Sequence, residues 1–306
     1  MPATSWIQQM IDEVYHEIND PSSAYYGPKF VVANHYDPYT GIPPQPGGFG
    51  WNFGQMTQPE FVSAASSICP TIGASDSSKC LGYTTSAVPP NYPKLNLTAV
   101  SITGFSNVVL KEPQLQPDGV TLVTTADFST LPPSSGYPAK VVIAGQFALT
   151  VYCCCPPANS PTSPCEANAP IDPQTGQGTF TATIPSCSAT VTCTINNLNN
   201  PGVIPTLTAD SFNFLVPTNS QTHGPNMSID VKITNVPPDQ QSGWNQQAMK
   251  VFNDPKALAS ILNTLIATMN QPGDLAVLAN ILTTQLDNYL RAHGLYPYPA
   301  AAARIF

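Results

Sequence analysis

Residues 140–155 have the sequence Lys-Val-Val-Ile-Ala-Gly-Gln-Phe-Ala-Leu-Thr-Val-Tyr-Cys-Cys-Cys, and this stretch decides the fold class. Alternate residues of a β-strand point to opposite faces. The apolar residues that would share one face are Val141, Ile143, Phe147, Leu149 and Val151, with Gly145 in phase. The pattern predicts a strand far longer than the usual ~5–6 residues. Because long strands coil, we expect a strongly curved sheet.

Further alternating segments lie on both sides of this stretch. In residues 179–196 the apolar residues of one face are Cys187, Ala189, Val191, Cys193 and Ile195. Four more strands are predicted near residues 94–104, 119–128, 205–215 and 227–236. Since no helical pattern interrupts this series, it predicts an antiparallel meander and not parallel βαβ units.

Both ends of the chain have helical periodicity. Residues 4–20 place apolar side chains on one helical face, and Asn19-Asp20-Pro21 ends that pattern. Residues 254–293 contain two Leu/Ile-rich stripes separated by Gln271-Pro272-Gly273, with Asp254 and Asp274 as predicted N-caps. Wide apolar stripes need an apolar partner surface, and the concave side of the sheet is the obvious one.

These patterns together predict an α+β fold, in which a long, highly curved antiparallel meander wraps an N-terminal helix and C-terminal helices. We interpret residues 1–306 as a single β-rich domain. Its predicted parts are a helix over 1–20, an irregular segment rich in Pro, Gly and aromatic residues over 21–93, the sheet over 94–236, and helices over 254–293.

The composition excludes several classes of partner. Charged residues make up 9% of the chain and the net charge is −8, without a cluster of Lys or Arg. A nucleic-acid-binding surface needs such a cluster, so we expect no nucleic-acid partner. No apolar run reaches the ~18 residues of a membrane span, and no signal-peptide pattern begins the chain. We therefore expect a soluble protein that is cytoplasmic, or exported without an N-terminal signal peptide.

The chain has eight cysteines, an even number that permits disulfides. If the strands at 140–155 and 179–196 pair, Cys153 or Cys155 could bridge to Cys187 or Cys193. The triple cysteine at 153–155 does not have the spacing of a zinc site, so no metal site is predicted.

No motif indicates catalysis or a bound cofactor. None of the four histidines lies in a metal-ligand spacing, and no Gly-x-Ser-x-Gly elbow occurs. Gly176-Gln-Gly178 lacks the third glycine of a dinucleotide loop. These observations favour a non-enzymatic protein without a cofactor, and an enzyme whose site is assembled from distant residues stays an alternative.

The order of the elements resembles the tubular lipid-binding (TULIP) superfamily. The matching parts are Leu95–Gly104, the strand Val141–Cys153, the Gly176–Phe180 entry into the next strand, and the apolar C-terminal helices. That superfamily includes bactericidal permeability-increasing-like, insect takeout-like and bacterial OrfX-type proteins, and this chain looks most like the bacterial branch. The resemblance implies a sheet wrapped around a helix, with lipid-like ligands held between them.

The predicted function is therefore non-enzymatic binding of a lipid or another apolar small molecule in a groove between the sheet and the helices. A role as an accessory protein of a toxin or metabolite gene cluster is a further hypothesis from the resemblance. The predicted lining residues are Phe147, Leu149, Phe212, Phe214, Ile261, Leu262 and Leu265. The alternative is a β-sandwich interaction or adhesion module, which would bind a protein partner or a glycan through aromatic loops between Tyr25 and Trp51.

Overall fold

A computed structural model of the chain describes residues 4–33, 37, 39–40, 52–57, 68–69, 84–85, 93–154, 171–197, 203 and 205–292. The helices are α1 (Thr4–Asn19), α2 (Gly27–Ala33), α3 (Pro238–Phe252), α4 (Pro255–Met269) and α5 (Pro272–Ala292). The strands are β1 (Tyr39–Thr40), β2 (Asn52–Thr57), β3 (Thr84–Thr85), β4 (Lys94–Thr103), β5 (Val108–Leu110), β6 (Gln114–Leu115), β7 (Thr121–Phe128), β8 (Val141–Cys154), β9 (Ile171–Ile184), β10 (Cys187–Asn196), β11 (Thr206–Leu215) and β12 (Ser228–Ile233).

All strand pairs are antiparallel, and the predicted α+β class is confirmed. The strands form two sheets instead of one continuous meander. The first sheet has the order β1-β4-β8-β9-β12, with β2 paired to β4 and β3 to β8. The second has the order β11-β10-β7-β5, with β6 paired to β7.

The segment predicted as one strand over 179–196 is divided by Pro185 and Ser186, and its two halves belong to different sheets. Proline has no N–H to donate to a sheet ladder, which explains why the strand ends there. Strand β9 begins at Ile171, eight residues before the predicted start at residue 179. Gly176 belongs to this strand, where a Cβ would come within 2.9 Å of the Trp244 ring. The glycine allows α3 to pack closely on the sheet.

The inner face of the first sheet is sealed by helices. Phe147 and Leu149 of β8 are buried, as the alternation predicts. The Phe147 ring meets Phe252 of α3 edge to face, with ring centroids 5.1 Å apart. Trp244 of α3 and Leu258 of α4 belong to the same buried cluster. This cover differs from a β-sandwich, in which a second sheet would lie face to face on this surface.

Helix α3 is absent from the sequence prediction. Its sequence, PDQQSGWNQQAMKVF, is mostly polar, and the apolar residues that it buries are Trp244, Ala248, Val251 and Phe252. Gln247 is buried beside them, which narrows the apolar stripe that a sequence pattern can reveal. Helix α5 begins at Pro272, so Asp274 lies in its first turn and not at the predicted N-cap position.

Asparagine side chains bond the backbone of an outermost strand in each sheet. Asn253, which follows α3, accepts a hydrogen bond from the Ile229 N–H (2.8 Å) and donates to the Ile229 carbonyl (2.7 Å) on β12. Asn270, which follows α4, bonds the N–H (2.9 Å) and the carbonyl (2.6 Å) of Phe212 on β11. The primary amide thus replaces the neighbouring strand that an edge lacks.

Asn19, the last residue of α1, makes the same pair of bonds with Leu110 on β5, at 3.1 and 2.8 Å. All three amides also donate to the helix carbonyl four residues earlier, that of Tyr15, Met249 or Ile266. The Met249 and Ile266 carbonyls also accept the backbone N–H of Asn253 (3.0 Å) and of Asn270 (3.1 Å). One side chain therefore ends a helix and attaches it to a sheet edge.

The buried carboxylate of Asp37 fixes the turn that leaves β4. It accepts hydrogen bonds from the Gly104 N–H (3.0 Å), the Ser106 N–H (2.6 Å) and the Ser106 hydroxyl. Gly104 has φ +98°, and a Cβ there would overlap the Lys140 carbonyl. The turn directs the chain out of the first sheet and towards β5.

The cysteine pairing differs from the prediction. Cys153 is bonded to Cys69, and Cys187 and Cys193 are free and buried. The predicted bridge from Cys153 to either of them is wrong because β8 pairs with β9, whereas both thiols lie on β10 in the second sheet. Cys154 is also disulfide-bonded, and Cys155 lies outside the described residues.

Replacing Asn253 with Ala should lower the free energy of unfolding by about 1–3 kcal/mol, because it leaves two backbone groups of Ile229 without their partner. Denaturant unfolding measures this loss. Asn263→Ala, at an exposed position of α4, is the matched control and should change stability by less than about 0.5 kcal/mol. Equal losses in the two variants would contradict the role given to the Asn253 amide.

Candidate functional site

The inner face of the second sheet is only partly covered. Strand β7 is internal to this sheet, with β10 on one side and β5 and β6 on the other, yet all eight of its residues are half-buried. Its inner-face residues are Leu122, Thr124, Ala126 and Phe128, as their pairing with β10 shows. The inner face of β8 in the first sheet is buried instead. An apolar face that stays half open in the middle of a sheet is a candidate binding surface.

Helices cover parts of this face. Helix α5 packs over β10 and β11 through Leu275, Ala279 and Leu282. Helix α1 reaches one end through Ile11, which lies in a small cluster with Ile195. At the other end, β10 and β11 join the large core that α3 and α4 share with the first sheet. The described residues beneath α5 belong to β10 and β11, and none of them belongs to β7.

Phe212 connects two of these covered parts. Its side chain is half-buried and packs against both the large core and the smaller cluster beneath α5. It stacks on Phe214, with ring centroids 6.3 Å apart and planes at 10°. Its backbone is held by Asn270 between α4 and α5, and Thr283 of α5 accepts a hydrogen bond from the Leu207 N–H at 3.0 Å on the same strand. The aromatic ring therefore lies where the two helices attach to the sheet.

The face contains one polar atom without a partner. The Thr124 hydroxyl is buried and makes no hydrogen bond, although it is paired across the sheet with buried Val191. A buried hydroxyl without a partner costs free energy. A ligand that places an oxygen or a hydroxyl beside Thr124 would relieve this cost.

The raised pKa values of the two free thiols indicate that their surroundings are apolar. Burial raises the pKa of Cys187 to about 12, and the Asp127 carboxylate adds to the shift. Burial likewise raises the pKa of Cys193 to about 11, with a smaller contribution from Asp210. Thiols in such surroundings stay protonated and are poor nucleophiles.

The structure places the sequence-predicted lining residues in two groups. Phe147, Leu149, Phe214 and Ile261 are buried in the large core. Phe212 and Leu262 are half-buried at its margin, and the side chain of Leu265 lies outside the described residues. The inner-face residues of β7 were not among the predicted lining residues. Leu122, Ala126 and Phe128 do alternate, but polar Thr124 lies between them and apolar Val123 lies on the other face. The alternation of apolar and polar residues is therefore weak in this strand.

No three His, Cys, Asp or Glu side chains of the described residues converge as a metal site would require. None of the helices in the described part of the chain has the length and hydropathy to cross a bilayer.

Comparison with known proteins gives weak likenesses. No family model matches the chain, and no curated protein matches it in sequence. The crystal structure of Epiphyas postvittana Takeout 1 is similar at a TM-score of 0.30 and 9% identity, over 71% of this chain and 90% of that chain. The crystal structure of lipopolysaccharide binding protein is similar at a TM-score of 0.23 and 10% identity, over 72% of this chain and 40% of that chain. At these scores the likeness carries no argument about family or ligand, and the TULIP assignment stays a prediction.

Stability should fall at alkaline pH through the two thiols. A pKa raised in the folded state means that the protonated thiol stabilises the fold below the unfolded pKa of about 8.5, and that this contribution is lost as pH rises towards the folded values. Urea unfolding between about pH 8 and pH 11 should show the decline. Other groups also titrate in this range, so the parent protein is compared with a Cys187→Ala/Cys193→Ala variant. The free energy of unfolding should fall less steeply with pH in the variant than in the parent. Parallel curves would contradict the burial of the thiols.

Proposed function

We propose that the protein binds a lipid or another apolar small molecule on the inner face of the second sheet, beneath α5 and beside α4. The observation that carries the proposal is the half-open inner face of β7, an internal strand whose counterpart in the first sheet is sealed. Covering apolar surface contributes about 25 cal/mol per Å². An apolar ligand would therefore gain affinity from a surface that the chain itself leaves in water.

The form of the surface favours an elongated ligand. Eight residues of an antiparallel strand extend about 27 Å at ~3.4 Å per residue, and all eight residues of β7 are half-buried. A single acyl chain lying along β7 would contact Leu122 and Phe128 in turn. A hydroxyl or carbonyl part-way along the ligand would find a partner in the Thr124 hydroxyl, which has none among the described residues.

The sequence-predicted residues enter this proposal in different roles. Phe212 and Leu262 form the aromatic and aliphatic margin that the ligand contacts. Phe147, Leu149, Phe214 and Ile261 are buried and support the helices that bound the site. A role in a toxin or metabolite gene cluster stays a prediction. The alternative, an interaction module, also stays a prediction, because most of the segment between Tyr25 and Trp51 that would supply its aromatic loops lies outside the described residues.

Native mass spectrometry of the freshly purified protein, followed by organic extraction, should reveal an apolar adduct above the 32.5 kDa chain mass. Thr124→Phe should abolish the adduct, because the larger ring fills the inner face of β7. Val123→Phe is the matched control, since Val123 is the neighbouring half-buried residue on the opposite face of the same strand.

Circular dichroism confirms that both variants fold. The proposal predicts that the adduct is lost from Thr124→Phe and kept in Val123→Phe. An adduct-free native protein that also fails to take up added oleate would contradict it. So would equal occupancy in the two variants.

A further inference from the structure

The outer face of the first sheet carries a groove of about 430 Å³. It lies on the opposite face from α3 and α4, and so it is separate from the proposed lipid site. The polar side chains that line it are Asn96, Thr98, Gln146, Gln177, Thr179 and Thr234. Its volume is within the range of ~300–1,000 Å³ that is typical of small-molecule sites.

The strand register arranges these side chains in rows. Thr98, Gln146 and Thr179 are directly paired neighbours on β4, β8 and β9. Asn96 and Gln177 flank Ala148 in the next row. Directly paired residues point to the same face, with strands ~4.8 Å apart and rows two residues apart. The small Ala148 side chain between two longer amides makes the floor of the groove.

The lining is polar but uncharged. Amides and hydroxyls each offer both donors and acceptors, which suits ligand hydroxyls that donate and accept at the same time. The two lysines beside the groove have other neighbours. The Lys94 ammonium lies 5.4 Å from the centre of the Tyr152 ring. Lys232, opposite Thr179 on β12, shares its strand face with Asp230.

The strands that carry the lining side chains are fixed beside the groove. The Thr150 and Thr175 hydroxyls are hydrogen-bonded across β8 and β9 at 2.9 Å. The Asn235 amide accepts a bond from the backbone N–H of Gln177 at 2.6 Å and donates to the Thr175 carbonyl at 2.9 Å, which extends the pairing past the end of β12. The backbone positions from which the lining amides project are therefore set by the sheet.

We propose that this groove binds a neutral saccharide, with the amides of Asn96, Gln146 and Gln177 as its principal hydrogen-bonding groups. An anionic ligand would find no cation among the described residues that line the groove. A hydrocarbon would leave the amides without the partners that water gives them. A neutral, hydroxyl-rich ligand needs no cation and gives the amides hydrogen-bond partners.

The test is an NMR titration of the full-length protein with maltohexaose, cellohexaose and chitohexaose, and with a heparin hexasaccharide as the anionic comparison. At least one neutral oligosaccharide should shift the side-chain amide signals of Asn96, Gln146 and Gln177. Gln146→Ala should weaken that binding by about tenfold or more, because it removes hydrogen bonds to the ligand.

Two controls separate this groove from other surfaces. Gln114→Ala, at an exposed glutamine of β6 in the second sheet, should leave the affinity unchanged. Thr124→Phe should also leave it unchanged, so that failure of the lipid proposal and failure of this one are distinguishable. The proposal is overturned if no neutral oligosaccharide shifts these amides, if only the heparin fragment binds, or if Gln146→Ala binds as tightly as the parent protein.

Discussion

The structure depends on how its sheet edges are closed. An outermost strand presents backbone groups that no neighbouring strand satisfies, and such edges promote aggregation. In this chain three asparagines, at the C-terminal ends of α1, α3 and α4, supply the missing partners for β5, β12 and β11. Each amide also bonds the last turn of its own helix. The contact that protects an edge therefore also determines where a helix ends and which strand it lies against.

This constraint accounts for the different cover of the two sheets. Asn253 and Asn270 hold α3 and α4 where they seal the first sheet, and Phe252 reaches the Phe147 ring. Helix α5 follows directly and is attached to β11, at the margin of the second sheet. From that margin it covers β11 and β10, and the residues of β7 stay half-buried. An open apolar strip thus follows from where the helices are attached.

The sequence allowed the fold class and most elements to be predicted, because β8 and the terminal helices bury whole faces and so alternate clearly. It did not reveal the division into two sheets, since nothing local distinguishes Pro185 from a bulge within one long strand. Asn-x-Pro occurs at the three edge asparagines, Asn19, Asn253 and Asn270, but the same pattern also occurs at Asn91, Asn159, Asn168, Asn199 and Asn235. The pattern alone therefore does not identify an edge contact. The candidate binding face was not predicted because the residues of β7 are only half-buried, and a partly covered strand lacks the clear alternation of a fully buried one.

If an apolar ligand lies along β7, as we propose, paramagnetic relaxation can locate it residue by residue. Doxyl-labelled stearate would be added to the isotope-labelled protein, and the loss of signal would be recorded for each backbone amide. We expect strong broadening at Thr124, Ala126 and Phe212, with Thr98 and Thr179 on the outer face of the first sheet unchanged. Broadening confined to the first sheet, or no broadening at β7 when the stearate is bound, would contradict this proposal.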